Sequence, residues 1–543
     1  MKKILFIIIV AAFILRIIGI DYGLPMFLVS DEVSITGASL KMLELRILVP
    51  AFHPEDFRLL YYPPLMSYLY LIFIVPVLFL KFIFSGTDFN LLKETIVLNP
   101  TPVWMVSRVV TAVLGTLTVY LTYTIGNRVF GKKLGLFASV FVAGSFFSVQ
   151  LSHFARHWAP AGFFTYLIIA AAVLVYFKPE RATYLWAGAV SGIAFGASYI
   201  TGIGVVVFLL AHFLNKQSSL KEKFIGAKIW IFNLLFTFIG AIFTLLNYPE
   251  FHRIVFGEDS TFTNPKSFLG MLTAVGTSFF SFFQHEPVLV VAGVLGLIIL
   301  GITQKRLFAL FVSFPLIYWI ILYFFFHFEP RYNLLLVPWF AVLGGLTMLQ
   351  LWEIPFSNHL QKVVVIFILL LSFSVSIYYD YLLTKPDSRE QAKEWIEENI
   401  PADSSIAIYT RTLELTPNPE AIEILKNNFP EAIRTKHQVL ENISFNRYPV
   451  PAYNVLNFND LSVVGFGIDQ EKGAANNYDY LVVEYFNEDQ IPVAVSAISE
   501  GSEIVKSFNK EKAVDINGNL EAPITDIFAI QNLGPKIFIY KLR

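Results

Sequence analysis

The chain has 543 residues, of which 55% are hydrophobic and only 15% are charged. An average soluble domain has about 25% charged residues, so this composition excludes a single large soluble enzyme. The chain contains no cysteine, which excludes disulfides, thiolate nucleophiles and cysteine-ligated zinc. Residues 383–543 carry 15 Lys and Arg against 24 Asp and Glu, whereas residues 1–382 carry 25 against 17. The sequence therefore predicts a basic, apolar membrane part at 1–382 and an acidic domain of ordinary composition at 383–543.

Apolar runs, most of them long enough to cross about 30 Å of hydrocarbon, recur through the first part of the chain. The first run follows Lys2 and Lys3 and covers 4–20, and no convincing signal-peptide cleavage site follows it. The others lie near 65–84, 103–126, 134–151, 159–177, 183–198, 201–214, 224–246, 287–303, 307–326, 332–352 and 361–382.

The basic connections between these runs predict the topology. They lie at 127–133, 178–181, 215–223, 304–306 and 359–362. The positive-inside rule puts all of them on the side of Lys2 and Lys3 only if the run 65–84 does not cross the membrane. That run opens with Tyr61-Tyr62-Pro63-Pro64 and contains Pro76, as in an interfacial or re-entrant helix. We therefore predict about eleven transmembrane helices, a cytoplasmic N-terminus, and an outer face formed by 21–102, 152–158, 247–286, 327–333 and the C-terminal domain.

The patterns after residue 383 predict an α/β or α+β domain of about 150 residues. Asp387 and Glu390 have the spacing of a helix start with a capping residue. Residues 405–409 and 480–485 alternate like strands, and 418–428 have helical spacing. The domain contains no phosphate-binding glycine loop, so a structural or acceptor-docking role is favoured over catalysis.

Two adjacent carboxylates, Asp31 and Glu32, follow the first span by about ten residues. Partial burial at a membrane surface raises the pKa of a carboxylate toward the range useful for a general base. The plainer alternative is an acidic pair in which Asp31 caps a helix that starts near Val33, and the spacing alone favours this alternative.

Candidate histidines and arginines also lie elsewhere on the predicted outer face. His53 precedes acidic residues, but the spacing matches no standard metal site, and a surface turn is the simpler interpretation. In the segment 152–158, Arg156 could bind one phosphate or lipid head groups in general. In 327–333, Arg331 could neutralise an anionic leaving group with Tyr332 as a hydrogen-bond donor, or it could pair with Glu329 at the interface.

Together these segments resemble the GT-C glycosyltransferases, specifically the protein O-mannosyltransferase and aminoarabinose transferase-like superfamily. The resemblance covers roughly residues 1–350. It rests on Asp31-Glu32, Tyr62-Pro63-Pro64-Leu65, Arg108, Ala155-Arg156 with Pro160, and Arg331-Tyr332-Asn333 with Pro338. It implies a GT-C fold with a juxtamembrane helix at 65–84, in the plasma membrane with the C-terminal domain outside.

The resemblance also implies a reaction, in which a sugar moves from a polyprenyl phosphate to a hydroxyl or amine of a protein, lipid or glycan. Asp31 would be the base of an inverting transfer, and Glu32 would orient the loop or the acceptor. The donor phosphate would bind Arg331 and Tyr332, with Arg156 or His53 as helpers. Further candidate site residues are His153, His157, Tyr62, Arg108 and His285. No cofactor is required and no metal is predicted, although the histidines leave room for a divalent ion. Membrane lipids, but no nucleic acid, complete the implied partners.

One residue departs from the family pattern. Many relatives carry an acid two residues after the arginine of the Arg156 segment, whereas this chain has Trp158. Either Asp31 suffices, or the acceptor differs, or the chain is an inactive scaffold that binds lipid-linked sugar. A transporter or flippase of envelope glycolipids is the other alternative, but few charges lie within the predicted spans and no inverted repeat is visible.

Overall fold

The computed structural model describes the chain except for residues 53–61, 87, 249–251, 253–266, 326–328, 355–358, 411, 459–477, 492–494, 496–498, 500–501, 517–523 and 543. Helices dominate the described residues up to 399. In chain order they are α1 (Lys2–Leu15), α2 (Ser30–Leu45), α3 (Leu65–Ser85), α4 (Phe89–Leu98), α5 (Thr101–Phe130), α6 (Lys132–Gly144), α7 (Phe146–Gln150), α8 (Trp158–Phe177), α9 (Arg181–Ala197), α10 (Ile203–Leu214), α11 (Leu220–Ile225), α12 (Ala227–Leu246), α13 (Phe268–His285), α14 (Pro287–Thr303), α15 (Lys305–Phe325), α16 (Val337–Glu353), α17 (Leu360–Leu371), α18 (Ser374–Leu383) and α19 (Ser388–Asn399).

Seven helical segments among the described residues are long and apolar enough to cross a membrane, which makes the protein an integral membrane protein. They are Leu65–Phe84, Thr101–Phe130, Trp158–Phe177, Lys221–Leu246, Lys305–Phe324, Pro330–Glu353 and Leu360–Asn399, and shorter apolar helices lie at Tyr199–Leu214 and Pro287–Thr303. The predicted helical membrane class is confirmed. Length and composition do not say which helices cross, so the count of eleven and the orientation stay predictions. The placement of α3 at the membrane surface also stays a prediction, because α3 continues through Pro76 and is long enough to span.

The helices differ from the predicted runs in two respects. Residues 268–285 were expected to lie in an outer loop, but they form α13. The helix was not predicted because its packed face carries Ser278, Ser281 and His285, which dilute its hydropathy, and the outer location of this segment stays a prediction. The runs 134–151 and 361–382 are each divided into two helices. Ser145 ends α6 and caps α7 by accepting a hydrogen bond from the Ser148 amide.

A glycine stripe on α9 explains how closely this helix packs on α12. A Cβ atom built at Gly188 would lie 2.7 Å from the Phe232 carbonyl oxygen, and one at Gly192 would lie 2.6 Å from Ile239 Cβ. Only glycine leaves room for contacts this close, as in the small-residue motifs of membrane helix pairs. A larger residue at either position would force the two helices apart.

The C-terminal domain contains a five-stranded mixed sheet, which confirms the predicted strands at 405–409 and 480–485. The strands are β1 (Ser405–Tyr409), β2 (Asn454–Asn457), β3 (Tyr480–Tyr485), β4 (Glu503–Phe508) and β5 (Lys536–Lys541), in the order β2-β1-β3-β5-β4. β1 is parallel to β2 and β3, whereas β5 is antiparallel to β3 and β4. Successive residues of β1 point to opposite faces, so Ile406 and Ala407 join different apolar clusters.

The helices after residue 387 are α19, α20 (Pro419–Asn428), α21 (Thr435–Asn442) and the short α22 (Ile524–Ile527). Of these, α19 packs on β4 and β5, and α20 packs on β2. The predicted cap of α19 is confirmed, because Asp387 and Glu390 form a capping box. The segment before β5 packs differently from the rest of the domain. Ile527, Ile530 and Leu533 belong to the apolar cluster of the membrane helices. The division at 382/383 stays a prediction, since this later segment also contributes to the membrane core.

Candidate active site

Three chain segments that are distant in sequence bring polar side chains together at the end of the helix bundle next to the C-terminal domain. Asp31 lies in the first turn of α2, whose N-cap is Val29 rather than Asp31. Arg156 lies in the connection between α7 and α8, and Arg331 lies in a short 3-10 helix, Pro330–Leu336, that leads into α16. A carboxylate in the first turn also interacts favourably with the helix dipole.

Arg156 holds the carboxylate of Asp31 through one oxygen. Its Nε and Nη2 atoms donate to Asp31 Oδ2 at 3.0 and 2.7 Å. The Arg156 side chain is only 1% exposed, whereas that of Asp31 is 21% exposed. Among the described residues, Arg156 and Arg331 both contact Asp31 through Oδ2.

Arg331 approaches the same carboxylate from the other side. Its Nη1 atom lies 3.6 Å from Asp31 Oδ2, and its side chain is 11% exposed. Glu329 forms an ion pair with the Arg331 guanidinium, the pairing that the alternative interpretation of this segment predicted. Asp31 therefore lies between two guanidinium groups. The more exposed of the two, that of Arg331, also pairs with the carboxylate of Glu329.

Aromatic rings form one wall of this cluster. The rings of Tyr62 and His157 are 4.0 Å apart, those of His157 and Trp158 are 4.2 Å apart, and those of Trp158 and Tyr332 are 4.7 Å apart. The guanidinium of Arg331 lies 5.7 Å from the centre of the Trp158 ring. Trp158, in the position where many relatives carry an acid, thus supports Arg331 by its ring face and contributes no carboxylate.

The charges of the cluster fix two protonation states. Burial alone would raise the pKa of Asp31, but Arg156 and Arg331 outweigh it and hold this pKa below its ordinary value of 3.8. Burial lowers the pKa of His157 to about 3. Near neutral pH Asp31 is therefore ionised and the His157 ring is neutral, so His157 does not compete with the arginines for an anion.

The lowered pKa of Asp31 predicts the pH dependence of any reaction that uses it as a base. Since the ionised form is favoured, kcat/KM should stay level as the pH falls from 8 to about 5, and decline only as the pH approaches the lowered pKa. In Arg156→Gln the carboxylate loses its main counter-charge, so the acid limb of kcat/KM should move to higher pH. A profile whose acid limb is the same in both proteins would contradict a role of Asp31 as the base.

Glu32 follows Asp31 but does not face the cluster. Arg108 donates to both of its oxygens, with Nε at 2.8 Å from Oε1 and Nη2 at 2.7 Å from Oε2, and both side chains are fully buried. Glu32 Oε1 also accepts a hydrogen bond from the Ala155 amide at 2.6 Å. The orienting role of Glu32 stays a prediction, and these contacts occupy Arg108 away from the open site.

The remaining candidate residues have other neighbours. His153 contacts the Ile18 carbonyl oxygen at 3.0 Å and lies 3.5 Å from Asp380. Its pKa is lowered by burial to about 4. His285 stacks on Phe147 with ring centres 4.9 Å apart. His53 lies outside the described residues, and within the described part of the chain no three His, Asp or Glu side chains group as metal ligands.

A cleft of about 1730 Å³ lies between α2 to α4 and the C-terminal domain, and Asp31, Arg156 and Arg331 are not among the residues that line it. Ser34, one helical turn after Asp31, lines this cleft, as do Gly37 and Lys41 farther along α2. Lys93 of α4 and Lys436 of α21 line its other sides. The volume of this cleft exceeds that of a typical small-molecule pocket.

No protein-family model matches the chain, and no curated protein matches it. Solved structures that match the chain include the oligosaccharyltransferase of Archaeoglobus fulgidus, with 13% identity over 89% of this chain and 68% of that chain and a TM-score of 0.46. They also include ArnT from Cupriavidus metallidurans, with 11% identity over 99% of this chain and 97% of that chain and a TM-score of 0.46. At these low identities, the functional proposal rests on the side chains of the site.

Proposed function

We propose that the protein is a membrane glycosyltransferase that moves a sugar from a polyprenyl phosphate to a hydroxyl or amine of an acceptor, with inversion at the anomeric carbon. The observation that carries this proposal is the position of Asp31, an ionised and partly exposed carboxylate between two arginines at the surface of a membrane bundle. A base and an anion-binding group are the two parts that such a transfer requires. Under the predicted topology the site lies at the membrane surface, where a polyprenyl donor resides.

In the proposed reaction, Asp31 Oδ1 accepts the proton of the acceptor hydroxyl or amine. The acceptor oxygen or nitrogen forms a bond to the anomeric carbon while the bond from that carbon to the phosphate oxygen breaks. The electron pair stays on the phosphate, whose charge becomes more negative by one. Arg331 then stabilises the transition state more than the ground state, because charge increases on the leaving group. As proposed, the reaction uses no nucleotide, and no metal is predicted.

The basic connections support an N-terminus in the cytoplasm and an active site on the outer face of the plasma membrane. On that face, a lipid-linked donor is a suitable sugar source, because it is delivered within the membrane. Under this topology the C-terminal domain is also outside, and the cleft lined by Ser34, one helical turn after Asp31, is the proposed entry route of an acceptor protein, lipid or glycan.

The decisive experiment uses membranes from the native source, which retain the acceptor. Radiolabelled polyprenyl-phosphate sugars are supplied to membranes with and without the overexpressed protein. We expect label to enter a protein, lipid or glycan fraction with equal release of polyprenyl phosphate. Label that crosses sealed vesicles with its phosphate bond intact would instead identify a transporter, and binding without release would identify a scaffold.

A substitution in the cleft tests whether the acceptor approaches beside Asp31. A Cβ atom built at Gly37 would meet only Val33 Cγ1, at 3.9 Å, so a side chain there extends into the cleft without disturbing α2. In Gly37→Trp we expect the acceptor KM to rise about tenfold or more, equivalent to about 1.4 kcal/mol of binding, while donor binding is unchanged.

The matched control is Gly276→Trp on α13, where a Cβ atom would have nothing within 4 Å. This variant places the same side chain on another helix, away from the cleft, and should transfer sugar like the wild type. An unchanged acceptor KM in Gly37→Trp would show that the acceptor uses another route.

A further inference from the structure

A buried junction joins the C-terminal domain to the loop that follows α1. It consists of Tyr22, Asp387 and Arg389, and all three are 6% exposed or less. The Tyr22 hydroxyl donates to Asp387 Oδ2. Burial and the adjacent carboxylate raise the pKa of Tyr22 well above its ordinary value, which keeps the hydroxyl protonated as a donor. Arg389 donates from Nε to Asp387 Oδ1 at 2.7 Å and from Nη2 to Oδ2 at 2.9 Å.

On the domain side, the junction is attached to the centre of the sheet. Asp387 caps α19 by accepting a hydrogen bond from the Arg389 amide at 2.9 Å. Arg389 Nη1 donates to Thr412 at 2.7 Å and lies 3.9 Å from Glu484 on β3, the middle strand. A shift of the sheet therefore moves the carboxylate that Tyr22 contacts.

On the membrane side, the backbone of Tyr22 continues the same network. Arg108 Nη1 donates to the carbonyl oxygens of Tyr22 and Ile20 at 2.9 and 2.6 Å. The rest of the Arg108 guanidinium holds Glu32, which in turn accepts from the Ala155 amide. Glu32 is adjacent to Asp31, and Ala155 is adjacent to Arg156. Buried polar contacts thus connect the sheet to both members of the central ion pair.

We infer that the Tyr22 junction positions Asp31 and Arg156, so that the C-terminal domain is a required part of the catalytic unit rather than only a docking module. This inference rests on the proposed role of Asp31 as the base. Its physical basis is that a base must be held close to its reacting position, since a displacement of 1 Å costs about 100-fold in rate. A network of buried, charge-assisted hydrogen bonds provides such rigidity. Tyr22, Asp387 and Arg389 are positioning residues, because none of them contacts the cluster around Asp31.

The test is Tyr22→Phe, which removes one hydroxyl and keeps the ring. The matched control is Tyr378→Phe, because the Tyr378 hydroxyl also joins a membrane helix to the C-terminal segment, donating to the Ile530 carbonyl oxygen at 2.9 Å, and has no described contact with Arg108 or Glu32. We expect Tyr22→Phe to lower kcat about tenfold without changing the affinity for polyprenyl phosphate, a smaller loss than a full 1 Å displacement would give. Tyr378→Phe should leave kcat unchanged.

A double-mutant cycle shows whether the effect travels through Glu32. If the junction acts through this residue, the losses in Tyr22→Phe and Glu32→Gln are not additive. Equal losses of kcat in Tyr22→Phe and Tyr378→Phe, in proportion to lost thermal stability, would overturn the inference, as would an unchanged kcat in Tyr22→Phe. The outcome is separable from the proposed function. If Asp31→Asn abolishes transfer while Tyr22→Phe does not affect it, the positioning role of the Tyr22 junction is wrong and the proposed glycosyltransferase function is retained.

Discussion

Replacing Asp31 by Asn should lower kcat for sugar transfer by about 10²–10⁴-fold, the usual contribution of a general base. The amide has the size of the carboxylate but cannot accept the acceptor's proton. It also removes the charge that balances Arg156, which is 1% exposed. The measurement is the release of labelled polyprenyl phosphate by purified protein at matched expression, together with a thermal unfolding curve that verifies folding.

The control for this substitution is Asp21→Asn. Asp21 is an exposed carboxylate in the same connection after α1, and its loss should change neither kcat nor stability. Transfer at the wild-type rate in Asp31→Asn would remove Asp31 from the mechanism. If Asp31→Asn loses both transfer and the folded state, the test is repeated with Asp31→Glu. This variant keeps the charge, so it should fold but transfer sugar slowly.

Replacing Arg331 by Gln should have the second largest effect, a fall in kcat of about 10²–10³-fold with weaker donor binding. This range is typical when one group that stabilises developing negative charge is removed. Arg331→Lys separates charge from geometry, because an ammonium keeps the charge but loses the planar guanidinium that lies over Trp158. We expect partial recovery of donor binding in Arg331→Lys and little recovery of kcat.

The affinity for polyprenyl phosphate is measured by displacement of a labelled analogue. This measurement separates the effect of Arg331 on donor binding from its effect on kcat. Arg46→Gln is the matched control, since Arg46 is an exposed arginine that follows α2 and lines the cleft rather than the cluster. Donor affinity and kcat that are unchanged in Arg331→Gln would exclude Arg331 from phosphate binding. Arg156 would then be the remaining candidate.

The sequence predicted the parts of the site whose signals are local. Asp31, Arg156 and Arg331 each lie in a short polar segment between apolar runs, and such segments are confined to the ends of a membrane bundle. The capping box of α19 and the strands β1 and β3 were likewise evident from a few adjacent residues. By contrast, α13 was missed because the polar residues of its packed face lower the average hydropathy on which the prediction relied.

The amino-acid sequence alone determined that the chain is a helical membrane protein with an α/β or α+β domain at its C-terminus, because hydropathy and periodicity act over a few residues. The tertiary structure alone decided which residues the buried polar side chains contact. Glu32 meets Arg108 across 76 positions, and Tyr22 meets Asp387 across 365 positions. Nothing in the local pattern around these residues specifies such pairs. They form because a buried charge or hydroxyl is costly until it finds a partner, and which partner is within reach depends on how the whole bundle packs.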